Sequence, residues 1–153
     1  MTTSAGERGV AALRARLPSD LTITRSSRTR ALIGHILSVL VVAFLALDGL
    51  AKVVRIGVMV DGMTKLGYPD SAVRGIGIIL VLCLTLYVIP RTAVLGAILL
   101  TGYLGGAVAT HVRIGSGLLG FVLLPVYCGV IVWGALYLRD PRVRGIIPFR
   151  SAS

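Results

Sequence analysis

Apolar positions fall into four long runs along the 153-residue chain, about 31–51, 73–89, 92–112 and 118–138. Each is long enough to cross a bilayer as a helix, although the second, at about 17 residues, sits at the short end of the spanning range. Pro90-Arg91-Thr92 leaves no room for anything but a reversal, so the second and third helices are predicted to be antiparallel neighbours. Ile114-Gly115-Ser116-Gly117 breaks the third run from the fourth, and Pro125 predicts a kink, since it cannot donate its intrahelical bond. Between the first two runs, Val53, Ile56, Met59 or Val60, Met63 and Leu66 recur at helical spacing, with Arg55, Asp61 and Lys65 among them. That pattern suits an interfacial amphipathic helix, a loop being the other reading. Leu66-Gly67-Tyr68-Pro69-Asp70-Ser71 then reads as a turn, with Asp70 or Ser71 capping the next helix. The pattern predicts an all-α fold, a four-helix transmembrane bundle over residues 31–139. Residues 1–30 are expected to form a disordered basic tail, a short amphipathic surface helix at Leu13, Arg14, Arg16 and Leu17 being the other reading, and 140–153 a short basic tail.

The third run is the least ordinary. Gly102, Gly106 and Thr110 recur every four positions, with Gly105 and Ala109 beside them, so one helical face has almost no side-chain bulk. Lipid supplies no hydrophobic force between helices, and close backbone approach drives their association instead. The stripe Gly102, Gly105, Gly106, Ala109 and Thr110 is therefore expected to serve helix packing, within the bundle or at a homodimer face. Tyr103 is expected to project away from it, toward a neighbour or the lipid. The hydroxyls of Thr101 and Thr110 can bond back to their own helix.

Composition agrees with a lipid setting. The chain is 56% hydrophobic and 14% charged, against roughly 25% charged in soluble domains. The formal charge of +10 would suggest nucleic acid in a soluble protein. Here the arginines sit at chain ends and helix flanks, where anionic headgroups of the lipid bilayer are the expected partner and nucleic acid is not. The two cysteines, Cys83 and Cys128, lie mid-run, as small apolar residues do.

Charge also sets direction. Four spans bring both termini to one side, and that side carries Arg14, Arg16, Arg25, Arg28, Arg30, Arg91, Arg139, Arg142, Arg144 and Arg150. The other side carries Lys52, Arg55, Lys65, Arg74 and Arg113. The positive-inside rule places both termini in the cytoplasm, with Tyr87, Trp133 and Tyr137 toward the cytoplasmic aromatic belt. Helix rise then sets depth: Asp48 is about 27 Å beyond Arg30 and His111 about 30 Å beyond Arg91, at nearly one outer level. Lys52, Arg74 and Arg113 join them there, making Asp48, Lys52, Arg74, His111 and Arg113 a candidate polar site at the extracytoplasmic face. Asp48 and Lys52 can pair four residues apart on one helix face. The layer is either a small pocket able to handle protons or a set of wet interfacial residues in which Asp48 neutralises Lys52.

No nucleophile–base pair, metal-ligand spacing or nucleotide motif is present; Gly75-Ile76-Gly77 lacks the rest of a dinucleotide fingerprint. Several short stretches do resemble a known family, the DoxX-like small membrane proteins. They are Phe44-Leu45 with Gly49-Leu50-Ala51-Lys52, Leu66-Gly67-Tyr68-Pro69, Gly75-Ile76-Gly77, Ile89-Pro90-Arg91-Thr92 and Leu95-Gly96. The most specific is Gly102-Tyr103-Leu104-Gly105-Gly106-Ala107 followed by His111-Val112-Arg113. The family's characteristic positions map onto Gly49, Lys52, Gly105, Gly106 and His111. The resemblance implies a multi-pass four-helix bundle of the bacterial inner (plasma) membrane, in a family named after a subunit of a quinone-reducing complex. Two functions follow as expectations. One is a non-catalytic subunit or binding scaffold for a membrane protein, a redox protein or a lipid-like molecule. The other is a component of a quinone-linked membrane oxidoreductase in which His111 and Asp48 manage protons.

Overall fold

In a computed structural model of the chain, the backbone is described for residues 4–146 and the side chains for 28–145, apart from 118 and 119. Six helices follow in order: α1 (Ser4–Val54), α2 (Gly57–Lys65), α3 (Asp70–Val88), α4 (Ala93–Arg113), α5 (Leu123–Arg139) and α6 (Pro141–Ile146). A π-helical turn, Leu118–Val122, leads into α5. Four stretches are long and apolar enough to span a membrane: Arg28–Val54, Asp70–Val88, Ala93–Arg113 and Gly120–Arg139. The fold is an all-α four-helix bundle. The first helix starts earlier than the apolar pattern implied, at Ser4 rather than near residue 31. Extending an existing helix needs no new nucleus, and its early Ala, Leu and Arg residues are good helix formers.

Helices α3 and α4 pack as antiparallel neighbours, joined by a turn in which Thr92 N–H donates to the Ile89 carbonyl (3.1 Å) and its hydroxyl to the Leu86 carbonyl (2.8 Å). Helix α1 packs on α3 and α5, and α4 packs on the same two, so α1 and α4 lie diagonally across the bundle. The core is a column of Val41 and Leu45, Leu80 and Leu84, Ala97, Leu100 and Leu104, and Val132 and Leu136. Outside, Val39, Leu47, Ile98 and Val130 are more than half exposed, an apolar exterior suited to lipid. Tyr87 is not in an aromatic belt but fully buried. Its hydroxyl donates to the Val132 carbonyl (2.9 Å) and lies 3.3 Å from Ser38 Oγ, which satisfies it inside the bundle.

Close backbone approach falls on other glycines than the α4 stripe. A Cβ on Gly34 would lie 2.9 Å from the Ala135 carbonyl oxygen, where α1 crosses α5. One on Gly77 would lie 2.8 Å from the Gly49 oxygen, at the α1–α3 crossing, and one on Gly96 only 2.3 Å from Tyr87 N, at α3–α4. Nothing comes within 4 Å of a Cβ built on Gly102, Gly105 or Gly106, and all three are exposed, as is Ala109. The physical reason is the opposite face of α4. Leu100 and Leu104 are the bulky knobs, and they turn into the core, leaving the bare face outward.

Three helix ends close in the same way. At the ends of α1, α2 and α4 a residue with positive φ (Arg55 at 61°, Gly67 at 84°, Gly115 at 65°) reverses the chain. In each, the next residue's N–H reaches back to a carbonyl five earlier: Ile56 to Ala51 (3.0 Å), Tyr68 to Met63 (3.0 Å) and Ser116 to His111 (3.0 Å). This is the Schellman closure, which satisfies carbonyls a helix end would otherwise orphan. Neither Asp70 nor Ser71 caps α3; Pro69 holds that position, and Asp70 lies in the first turn, its carboxylate paired with Arg55. Residues 57–65 form a helix that buries Met63 and exposes Asp61 and Lys65. Ahead of Pro125 the chain widens into the π turn, next to the carbonyl of Phe121 that the proline ring would crowd. Beyond α5, Asp140 accepts from Arg142 N–H (2.9 Å) ahead of Pro141, starting α6 where only a tail was expected.

Candidate functional site

The site is built from the helix ends at the α2 end of the bundle. On α1, Asp48 and Lys52 lie one turn apart and form an ion pair. Lys52 is 8% exposed overall, while one third of the Asp48 side chain is accessible. The lysine is therefore largely sequestered, with a single acid beside its ammonium. On α4 the Schellman closure brings Ser116 back over the last turn, and Ser116 Oγ stands 3.1 Å from His111 Nδ1. The imidazole is stacked on Phe121 of the π turn, ring centroids 5.7 Å apart. Local chain reversal and the wide turn before Pro125 thus fix one histidine from two sides.

These groups surround connected hollows. A cleft of about 590 Å³ is lined by Phe44, Leu45, Leu47, Asp48, Ala51 and Lys52 of α1, Tyr103, Leu104, Ala107 and His111 of α4, and Phe121, Leu124, Pro125 and Cys128. Its rim residues Leu47, Phe121, Phe44 and Leu124 are exposed, so it opens sideways between α1 and the start of α5. A second hollow of about 430 Å³ lies under α2 and shares Asp48, Lys52, Met59, His111 and Phe121, adding Met63 and Ser116. A third, about 300 Å³, runs along the bare face of α4 past Gly102, Tyr103 and Gly106 to Lys52, Tyr68 and His111. Lys52 and His111 border all three. The arrangement is an apolar chamber with an acid, a cation and an imidazole at one end. It can hold an amphipathic molecule whose polar head bonds to charged groups while its chain lies among Leu, Phe and Pro.

The whole of this cleft lies inside a stretch, residues 36–135, that matches the family model described as the DoxX-like family. The chain belongs to the DoxX-like family. No curated protein and no solved structure matches it.

Within the DoxX-like chain, the five sequence-predicted polar residues divide. Asp48, Lys52 and His111 line one cleft. Arg113 stands one step out, donating to the Leu66 carbonyl (2.9 Å) at the C-terminal end of α2, where a cation is favoured. It ties α2 down rather than lining the chamber. Arg74 is exposed on α3 and lines none of the three hollows. A depth estimate along a helix axis carries no azimuth, and azimuth separates Arg74 from the rest. Of the two directions expected for Tyr103 it takes the one toward a neighbour rather than the lipid: it is half-buried against the core and borders two hollows. Thr110 bonds back to the Gly106 carbonyl (2.9 Å) as expected, and is also 2.7 Å from Tyr68 Oη, which the loop motif Gly-Tyr-Pro delivers. Met59 and Phe121, which line the cleft, and Met63 and Ser116, which line the hollow under α2, were not marked as site residues by any motif, because each gets there only through a turn. No group of three or more His, Cys, Asp or Glu that could hold a metal is found among the described residues.

Proposed function

We propose that this DoxX-like protein is a non-catalytic binding scaffold of the bacterial inner membrane. It seats a lipid-like molecule with its polar head at the Asp48–Lys52–His111 layer and its chain in the lateral cleft. One observation carries the reading: an apolar chamber of about 590 Å³ opens sideways on a lipid-facing exterior and ends at a part-buried ion pair and a histidine. The excess of arginine at the terminal end supports a cytoplasmic location for both termini, and hence an extracytoplasmic head site. The exposed bare face of α4 supports a protein partner or a second copy docking as a neighbouring helix. The test is mild-detergent purification followed by organic extraction and mass spectrometry. A stoichiometric amphipathic small molecule, lost on Ala107→Phe, supports the scaffold. Protein that emerges empty, from wild type and variant alike, overturns it.

A second reading has its own observation. Asp48 and His111 border the same cleft, one an acid and the other an imidazole, as a proton path to a bound quinone would need. On that reading the chain is a component of a quinone-linked oxidoreductase. His111→Ala and Asp48→Asn then lower quinone-dependent respiration in membranes, and unchanged respiration in both removes the only residues on which it stands.

A further inference from the structure

The opposite end of the bundle carries a different constellation. Where α3 turns into α4 and α5 into α6, a hollow of about 470 Å³ is lined by Arg91, Arg139, Arg142 and His35, with Asp140 the one acid at its wall. Arg139 is held rigidly there: its guanidinium donates to the Tyr87 carbonyl (2.9 Å) and lies 4.6 Å over the Tyr87 ring. Arg91 and Arg142 reach the hollow from the α3–α4 turn and from α6, and neither is ion-paired among the described residues. Asp140 accepts the Arg142 backbone N–H at Oδ1 in starting α6 and forms no ion pair among the described residues, so one acid stands against three guanidiniums. His35 is anchored by Nδ1–H to the Ala31 carbonyl (2.7 Å).

Guanidinium forks match phosphate oxygens bidentately, and three of them converging on one concave surface is an arrangement for a phosphoryl group. We propose that this hollow binds the phosphodiester headgroup of an anionic lipid. The membrane side of the hollow argues for the lipid over a free ion. Ile36 and Val39 continue the His35 side of α1 into the membrane, are 51–66% exposed, and offer an apolar track for acyl chains below the headgroup. Basic pockets between membrane helices are known to take such headgroups. The site is separate from the cleft at the α2 end and does not depend on it.

The experiment uses the full chain, delipidated in dodecyl maltoside, with thermal unfolding followed on addition of phosphatidylglycerol, phosphatidylcholine or inorganic phosphate. Phosphatidylglycerol raises the unfolding temperature, and phosphatidylcholine at the same mole fraction does not. In the double variant Arg91→Gln, Arg142→Gln the lipid concentration for half effect rises by at least about tenfold, the loss of one charge-assisted bond or more. Arg55→Gln with Lys65→Gln, at the other end, leaves the response unchanged. Equal stabilisation by both lipids, or a double variant that responds like wild type, overturns the proposal. An equal effect of inorganic phosphate, abolished by the double variant, keeps the phosphoryl site but overturns the lipid as its occupant. Both substituted side chains are exposed; if the double variant unfolds early without lipid, Arg91→Gln alone is read against the same criteria.

Discussion

The ion pair at the end of α1 makes the sharpest prediction. Replacing Asp48 with Asn removes the one acid beside the ammonium of Lys52, a residue that is 8% exposed, while keeping side-chain size and shape. Orphaning one partner of a fully buried pair is destabilising by about 3–5 kcal/mol. One third of the Asp48 side chain is accessible, so water relieves part of that, and about 2–3 kcal/mol is expected. For a chain of this length that is a fall of about 5–10 °C in unfolding temperature. Lys52→Met in the Asp48→Asn background removes the unpaired charge and fills the space with a similar apolar volume, so most of the loss returns. The assay is thermal unfolding of the four proteins of the cycle in one detergent, with bound small molecules extracted from each. The double variant is stable but empty if the pair holds a head group. Additive losses, with the double variant worse than either single one, would refute the buried-pair argument.

Other predictions rest on packing and exposure. Gly96→Ala places a methyl 2.3 Å from Tyr87 N and should lower stability by about 1–3 kcal/mol or prevent assembly. Gly102→Ala meets nothing within 4 Å and should be neutral or stabilising by up to about 1 kcal/mol; unfolding in detergent compares the two. Ala107→Phe projects a ring into two of the hollows and should displace the co-purified molecule, as read by mass spectrometry, while the far-ultraviolet helix signal is kept. Ser116→Cys, at the α2 end, should react with an impermeant thiol reagent from outside intact cells, while the buried native Cys83 and Cys128 stay unlabelled. Labelling only after the cells are opened reverses the orientation.

Much of this protein is legible in one dimension because lipid imposes a simple constraint. A segment that must satisfy its backbone internally and bury it in hydrocarbon announces itself by apolar run length, so all four spans are visible in the sequence. Turn chemistry is nearly as plain: Pro90-Arg91-Thr92 dictates the α3–α4 reversal, and Gly67 and Gly115 supply left-handed residues at two helix ends. Asp48 and Lys52 pair because helical geometry alone sets residues four apart on one face. What spacing does not contain is the rotation of each helix about its axis. The stripe of Gly102, Gly105 and Gly106 suggests close packing, yet whether it turns inward depends on where Leu100 and Leu104 go, and they go to the core. Gly34, Gly77 and Gly96, which form no small-residue stripe in the sequence, occupy the crossings because two backbones meet there. The same rotation brings His111 to the cleft and leaves Arg74 outside it, although helix rise in the sequence assigns both to one depth. Run length and local turns were thus settled by the chain itself, since each depends on neighbouring residues. The cleft and its members were decided only by tertiary packing, since azimuth is a property of helices in contact and not of any one of them.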